Sequence, residues 1–209
     1  MADPGATPRL VVVTGGPGAG KTALLAVAQR RFGAEVSVIP EAAGILFGGG
    51  FPRRPTDPGR RAAQRAIFAV QRQLERLATE EARTPIVLCD RGTVDGLAYW
   101  PGDAASFWSD VGSTEAIELG RYAAVIHLRT PPPADGYNHA NPVRVETAAE
   151  AHRIDERIVE AWAHHPRRHV IEESPVFLDK VVRGLAALAE EVRMRPGGGM
   201  KTAGSQGGA

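Results

Sequence analysis

The chain has 209 residues, of which 43% are hydrophobic, so it is long enough to form one domain with its own core. It contains 25 Lys and Arg against 24 Asp and Glu, and this balance excludes a generally basic surface for nucleic acid or membranes. The single cysteine, Cys89, excludes an internal disulfide framework and is typical of a reducing compartment.

The two ends of the chain differ in composition from the rest. Residues 1–8 lack the apolar segment of a signal peptide, and no run is long enough to span a bilayer, which predicts a flexible N-terminus and cytoplasmic residence. Residues 196–209 are small, polar and rich in glycine, which predicts a disordered tail. We therefore expect one folded domain over residues 9–195.

The first predicted strand, at residues 10–13, leads into a glycine-rich loop. The loop satisfies the Walker A pattern G-x-x-x-x-G-K-[ST], in which backbone N–H groups and a helix N-terminus surround phosphate oxygens. Lys21 can reach the β and γ phosphates, and the Thr22 hydroxyl is placed to ligate Mg²⁺. We expect nucleotide binding by all residues of the loop: Gly15, Gly16, Pro17, Gly18, Ala19, Gly20, Lys21 and Thr22.

Apolar runs and helical patterns alternate along the rest of the chain. Further strands are predicted at residues 36–39, 86–90, 124–128 and 169–171, and helices at 60–82, 145–164 and near the end. In the first of these helices, one face is expected to be buried: Ala63, Ile67, Val70, Leu74 and Leu77. The alternation predicts an α/β fold with a five-stranded parallel sheet and helices on both faces, with ligands at the carboxyl ends of the strands.

Asp90 ends the third predicted strand, where an acid commonly holds magnesium in phosphate-loop proteins. It is followed by Arg91 instead of a glutamate, which disfavours a motor ATPase. A regulatory GTPase is also disfavoured, because the chain has no Asn-Lys-x-Asp segment and carries Thr93 where an Asp-x-x-Gly switch requires glycine. Phosphoryl transfer to a small molecule remains.

Such transfer requires a positively charged lid that excludes water, and we expect the lid at about residues 131–157. Its first part is rich in proline and glycine, and Arg144 follows as the candidate to neutralise charge in the transition state. Arg153 and Arg157 lie one turn apart on the next helix, where they either serve the lid or pair with glutamates at the surface.

Four segments together resemble one family: VVVTGGPGAGKT at 11–22, PEAA at 40–43, DRGTVDGLAY at 90–99 and NPVRVE at 141–146. The chain resembles, over most of its length, the small AAA-domain NTP-binding family. That family is similar to the nicotinamide riboside kinase domain and, more distantly, to deoxynucleoside kinases. The resemblance implies a P-loop NTPase fold of the nucleoside-kinase type, with a lid.

The resemblance also implies roles for residues beyond the phosphate loop. In deoxynucleoside kinases a glutamate after the second strand is the general base, and Glu41 matches it. An acid followed by arginine matches Asp90 and Arg91, with the arginine near the acceptor or the phosphates. The match departs at Gly92, where those kinases usually carry serine.

Several residues near this site have alternative interpretations. Asp95 and Tyr99, with Glu41, are candidates to line the acceptor pocket, although Tyr99 could equally be a packing residue. Glu41 could instead be only a carboxylate at a helix N-terminus, stabilised by the helix dipole. The pairs Arg53-Arg54 and Arg60-Arg61 would attract an anionic acceptor or form a solvated basic face.

The expected function is Mg²⁺-dependent transfer of the γ-phosphoryl group of ATP, or of GTP, to a hydroxyl of a nucleoside-like or other small metabolite. Lys21, Glu41, Asp90, Arg91 and Arg144 are the candidate catalytic residues, and Thr22 and Asp90 the candidate metal ligands. The alternative is a regulatory NTPase that engages a protein or an acidic lipid. Nucleic acid is not an expected partner, and a homodimer is compatible with the sequence.

Overall fold

The computed structural model of the protein describes residues 7–131 and 147–194. In this part of the chain the strands are β1 (Arg9–Thr14), β2 (Val36–Ile39), β3 (Ile86–Asp90), β4 (Tyr122–Leu128) and β5 (Arg168–Ile171). The helices are α1 (Lys21–Phe32), α2 (Ala42–Gly48), α3 (Asp57–Glu81), α4 (Gly96–Tyr99), α5 (Ala104–Val111), α6 (Glu115–Leu119), α7 (Ala148–Ala161) and α8 (Phe177–Arg193). Two short 3₁₀ turns, Gly33–Glu35 and Thr93–Asp95, complete these elements.

The five strands form one parallel sheet in the order β2-β3-β1-β4-β5. This confirms the predicted α/β fold of the P-loop type. Strand β1 lies between β3 and β4, and its residue Val13 pairs with Asp90. Because all strands run in the same direction, the phosphate loop after β1 and Asp90 at the end of β3 emerge side by side.

The sheet is covered on both faces, since neighbouring residues of β1 enter different cores. Val11 and Val13 belong to the core that includes Leu24 of α1 and Leu188 of α8. Val12 belongs to the opposite core, with Ile158 of α7 and Trp162. Cys89 also belongs to this second core, where its side chain is free of disulfides and fully buried.

The predicted buried face of the long helix α3 is wrong in part. Leu77 is 52% exposed, whereas Gln64, Gln71 and Glu75 are buried. For Gln71 and Glu75 the reason is a polar network beneath the helix, in which Glu75 accepts hydrogen bonds from Gln71 Nε2 and the Tyr122 hydroxyl, both at 2.8 Å. Burying these groups costs little when they are paired with one another, so they compete successfully with the apolar face.

The helix predicted near the C-terminus, α8, also buries a different face from the one that its apolar residues predict. The apolar stripe in the sequence of this helix is Leu178, Val182, Leu185 and Leu188. Leu188 is buried, but Leu178 and Val182 are 66% and 56% exposed. Buried Val181 and Gly184 face α1 instead, and a Cβ at Gly184 would lie 2.8 Å from Leu24 Cδ2. Within the described residues, the search for a helix both long and apolar enough to cross a membrane found none.

Candidate active site

The phosphate loop joins β1 to α1 through backbone conformations that require glycine. Gly15, Gly18 and Gly20 have φ values of 139°, 84° and 97°. At Gly20 the space is also filled, because an added Cβ would lie 2.5 Å from the Phe177 ring. No side chain caps the start of α1, so its first N–H groups are free of side-chain acceptors and suited to phosphate oxygens.

Lys21 folds back over this loop. Its Nζ donates hydrogen bonds to the carbonyl oxygens of Gly15 and Gly16, at 3.0 and 3.3 Å. Burial and the charge of Arg91 lower the pKa of Lys21 to about 8, although Asp90 and Glu41 act in the opposite direction. A phosphate at the loop would stabilise the charged amine and raise that pKa again.

Asp90 lies beside the loop with one oxygen unused. Its Oδ1 is buried and has no hydrogen-bond partner among the protein atoms. Burial raises the pKa of Asp90, and the nearby charge of Lys21 only partly opposes this. An unpaired buried carboxylate oxygen fits a hydrated Mg²⁺ ion, which prefers oxygen ligands and keeps several waters. Thr22 is exposed and lines the same cleft, so both candidate metal ligands fit the ion.

Arg91 connects two carboxylates across the site. Its Nε donates to Glu41 Oε1 at 2.6 Å, and its Nη1 donates to Asp95 Oδ2 at 3.0 Å. The backbone turns sharply there, with φ of 72°, and the Arg91 amide donates to the Val13 carbonyl at 3.1 Å. This left-handed conformation is unusual for a residue other than glycine.

Glu41 is the residue before α2, and only Pro40 separates it from the end of β2. It caps no backbone N–H group with its side chain, so an N-capping role is not what orients it. Burial alone would raise the pKa of Glu41, but the charges of Arg91 and Lys21 outweigh it and lower the pKa. The carboxylate is therefore ionised at neutral pH and ready to accept a hydrogen bond.

Asp95 lines the cleft, but its carboxylate is engaged by other protein groups. It is 3% exposed, and its Oδ2 accepts from the Thr14 hydroxyl at 2.6 Å as well as from Arg91. Its Oδ1 accepts from Trp162 Nε1, also at 2.6 Å. Protein donors thus use both oxygens, and the geometry favours a role in orienting Arg91. Tyr99 lies next to Arg91, whose guanidinium carbon is 5.7 Å from the centre of its ring.

Trp162 explains why the chain carries glycine at position 92. A Cβ added there would lie 2.8 Å from Trp162 Cζ2 and 2.9 Å from Val12 Cγ2. A serine at this position, usual in the deoxynucleoside kinases, has no room while the indole occupies the space. The departure from that pattern therefore follows from local packing.

These groups line one cleft of about 870 Å³ between the sheet edge and helices α2, α3, α4 and α7. Lys21, Glu41, Asp90 and Arg91 all reach it, and Phe47, Ile67 and Phe68 supply apolar walls. This volume lies within the range of small-molecule sites.

Part of the predicted lid, including Arg144, lies outside the described residues. Helix α7 is its described portion. There Arg157 donates to the carbonyls of Leu97 and Trp100, at 3.3 and 3.1 Å, and within the described residues it forms no ion pair with a glutamate. Arg153 is exposed and lines the cleft.

One buried group at the phosphate loop was not predicted from the sequence. Asp155 of α7 is fully buried, and its Oδ1 accepts from the Gly16 amide at 2.8 Å and lies 2.9 Å from His127 Nε2. Arg129 Nη1 lies 3.3 Å from Asp155 Oδ2. Burial would raise the pKa of Asp155, but His127 and the backbone amides of Gly16 and Thr130 lower it. Helix α7 is thereby tied directly to the loop.

A signal for this group exists in the sequence. Asp155 lies on the buried stripe of α7 formed by Ala151, Ile158 and Trp162, and His127 interrupts an otherwise apolar strand. A polar residue at a core position of each element indicates that the two could pair.

Three comparisons with known proteins bear on this site. A family model for an AAA domain matches residues 10–176. The NadR protein, solved in complex with NR, is similar to this chain with a TM-score of 0.65 and 16% identity, covering 90% of this chain and 53% of that chain. At this identity the likeness shows the fold alone, and the chain spans about half the length of that protein. A search of curated proteins found no match.

The family match begins within β1 and runs to the residue before α8. It includes the phosphate loop, Glu41, Asp90, Arg91 and Asp155, and it covers more than half of the 209 residues. The chain therefore belongs to this AAA-domain family.

Proposed function

We propose that this protein is a kinase that transfers the γ-phosphoryl group of ATP to a hydroxyl of a nucleoside-like or other small metabolite. One observation carries the proposal. Glu41, ionised and held by Arg91 at 2.6 Å, shares a cleft of about 870 Å³ with Lys21, which leaves room for a second substrate beside the phosphate loop. The fold shared with NadR, solved in complex with NR, supports a small-molecule ligand.

In this proposal the loop amides and Lys21 bind the β and γ phosphates, and Thr22 and Asp90 hold Mg²⁺. The bound ion supplies charge neutralisation of the phosphate oxygens. Arg91, which is preorganised by Glu41 and Asp95, would neutralise the negative charge that develops between acceptor and phosphate.

Glu41 accepts a hydrogen bond from the acceptor hydroxyl and orients its oxygen toward the γ phosphorus. The new P–O bond forms as the bond from the γ phosphorus to the β–γ bridging oxygen breaks, and ADP leaves. The hydroxyl proton passes to Glu41 and then to solvent. Because the pKa of Glu41 is lowered, its carboxylate is a weak base, and it contributes more by orienting the acceptor hydroxyl than by accepting the proton.

The test is ADP formation with ATP or GTP, measured with and without each of a panel of hydroxylated metabolites. An active acceptor should stimulate turnover, and Glu41→Gln should remove that stimulation while ATP binding persists. Removal of a group that acts in the transition state costs about 10²-fold or more. Glu80→Gln is the matched control, because Glu80 is exposed and pairs only with Arg76 in the described residues.

If no acceptor stimulates turnover, the kinase proposal is wrong, and a regulatory NTPase that engages a protein or an acidic lipid becomes the better account. If an acceptor stimulates the Glu41→Gln variant as strongly as the wild type, Glu41 has no catalytic role. Cytoplasmic residence and a homodimer stay predictions from the sequence.

A further inference from the structure

We propose that the acceptor carries a phosphate group, bound by an arginine wall of the cleft formed by Arg53, Arg54 and Arg60. This inference rests on the proposed function, because it names the class of molecule that receives the phosphoryl group. It would make the substrate a phosphomonoester that also bears a hydroxyl. A neutral or cationic nucleoside would be a poor substrate.

The charge of the cleft differs from that of the whole chain. The whole chain has a formal net charge of +1. The cleft, in contrast, is lined by seven basic side chains, namely Lys21, Arg53, Arg54, Arg60, Arg91, Arg153 and Arg157. It is lined by only four carboxylates, namely Glu41, Asp90, Asp95 and Glu150. Positive charge is therefore concentrated at this one site, and a cleft with low-dielectric walls strengthens the resulting field.

Some of these basic side chains are already neutralised by carboxylates, and others are not. Arg91 is held between Glu41 and Asp95. Arg54 and Arg60, by contrast, form no ion pair with a carboxylate in the described part of the chain. Two unneutralised guanidinium groups in one cleft repel each other unless an anion lies between them.

The arginine wall belongs to the segment that follows α2 and to the start of α3, and none of it lies on the phosphate loop or on α1. Arg53 lies near the reacting end of the cleft, because its charge contributes to lowering the pKa of Glu41. Its guanidinium carbon is 5.1 Å from the centre of the Phe47 ring, which orients the side chain along this wall.

A guanidinium fork matches the oxygens of a phosphate in bidentate hydrogen bonds, and a dianion can use more than one arginine. The apolar residues Phe47, Ile67 and Phe68 line the same cleft and suit the organic part of such a molecule. With its phosphate at the arginine wall, the acceptor would point its hydroxyl toward Glu41.

The test compares compounds that differ only in one phosphate: ribose with ribose 5-phosphate, uridine with uridine 5′-monophosphate, and nicotinamide riboside with nicotinamide mononucleotide. Binding is measured by calorimetry with Mg²⁺ and a non-hydrolysable ATP analogue present, and transfer is measured separately with ATP. The phosphorylated member of a pair should bind about tenfold or more tightly, and added salt should reduce the difference. Nicotinamide riboside, with its positively charged ring, should bind least.

Arg54→Ala combined with Arg60→Ala should remove this preference and weaken binding of the phosphorylated member by about tenfold or more. The affinity for the ATP analogue should stay within about twofold of wild type, since neither residue lies on the phosphate loop. Arg30→Ala combined with Arg83→Ala removes the same charge from exposed positions outside the cleft and should change neither affinity. Circular dichroism and thermal unfolding check that each variant folds.

Four outcomes separate the two proposals. If the unphosphorylated compounds bind equally well and accept phosphate, the kinase is correct and the arginine wall does not select the acceptor. If the phosphorylated compounds bind through Arg54 and Arg60 but none receives phosphate, the anion site is correct and the kinase proposal is wrong. Absence of binding by every pair, or unchanged binding in the double variant, overturns the inference.

Discussion

Asp155 should contribute more to stability than any exposed carboxylate of helix α7. It is fully buried, accepts from the Gly16 amide at 2.8 Å and from His127 at 2.9 Å, and pairs with Arg129 at 3.3 Å. In Asp155→Ala the amide, the imidazole and the guanidinium all lose their shared partner. Removing one member of a buried charged group costs about 3–5 kcal/mol, so we expect a loss of that size in the free energy of unfolding.

The assay is equilibrium urea denaturation, with Glu156→Ala as the control. Glu156 is the next residue and also contacts Arg129, but its side chain is 52% exposed. A surface pair contributes about 0–1 kcal/mol, so the control should lose at most that much. If Asp155→Ala loses no more than Glu156→Ala, the buried group does not stabilise the loop and the reasoning fails.

The pH dependence of this contribution has a definite sign. Since the pKa of Asp155 is lowered in the folded protein, its contribution is complete above the ordinary value of about 3.9 and is lost as the pH falls through the folded value. The difference in stability between wild type and Asp155→Asn should therefore be constant near neutral pH and shrink in acid. A difference that grows as the pH falls would contradict this.

Two further predictions concern the phosphate loop and its surroundings. Lys21 has a pKa of about 8, and bound phosphate should raise it, so ATP affinity measured by calorimetry should fall above about pH 8, by at most about tenfold per pH unit. Lys21→Arg should abolish this decline. An equally steep decline in that variant would contradict the assignment to Lys21. Gly92→Ser should reduce the free energy of unfolding by about 1–3 kcal/mol through contact with Trp162, whereas Gly48→Ser, which meets nothing within 4 Å, should cost less than about 1 kcal/mol, as measured by denaturation. Equal losses in the two serine variants would refute the packing explanation.

The strands and the phosphate loop could be predicted from the sequence because their signals are local. Residues 10–13 are continuously apolar, and the loop after them needs glycine at positions with φ of 139°, 84° and 97°. The burial of neighbouring strands on both faces follows from the same apolar runs. These features depend on the nearest few residues, and the fold could be inferred from them.

The buried face of α3 could not be predicted in this way. Apolar periodicity favours Leu77, which is 52% exposed, over Gln71 and Glu75, which are buried. Glu75 is buried because Tyr122 and Arg121, more than forty positions away in the chain, donate hydrogen bonds to it. Gln71 in turn donates to Glu75 and to the Arg91 carbonyl. A periodicity argument does not include partners that only the tertiary structure brings together.

In the candidate site, too, the residues next to strands could be predicted from local sequence, whereas their contacts depend on the tertiary structure. Asp90 ends a strand, and Glu41 and Arg91 lie just after one, so each could be selected from the sequence. The contact of Arg91 with both Glu41 and Asp95, however, depends on the turn at its φ of 72°. The position with positive φ is an arginine and not a glycine, so the sequence does not indicate this turn. The deep position of Asp95 likewise depends on Trp162, which is distant in the sequence.

The destination of the γ phosphate tests the central claim most directly. ATP labelled in that phosphate should be incubated with the wild-type protein, Mg²⁺ and each acceptor of the panel, and the products separated. The account predicts that the label appears on an acceptor in amounts equal to the ADP formed, and that Glu41→Gln abolishes this product. Recovery of the label only as inorganic phosphate, whichever acceptor is present, would contradict it.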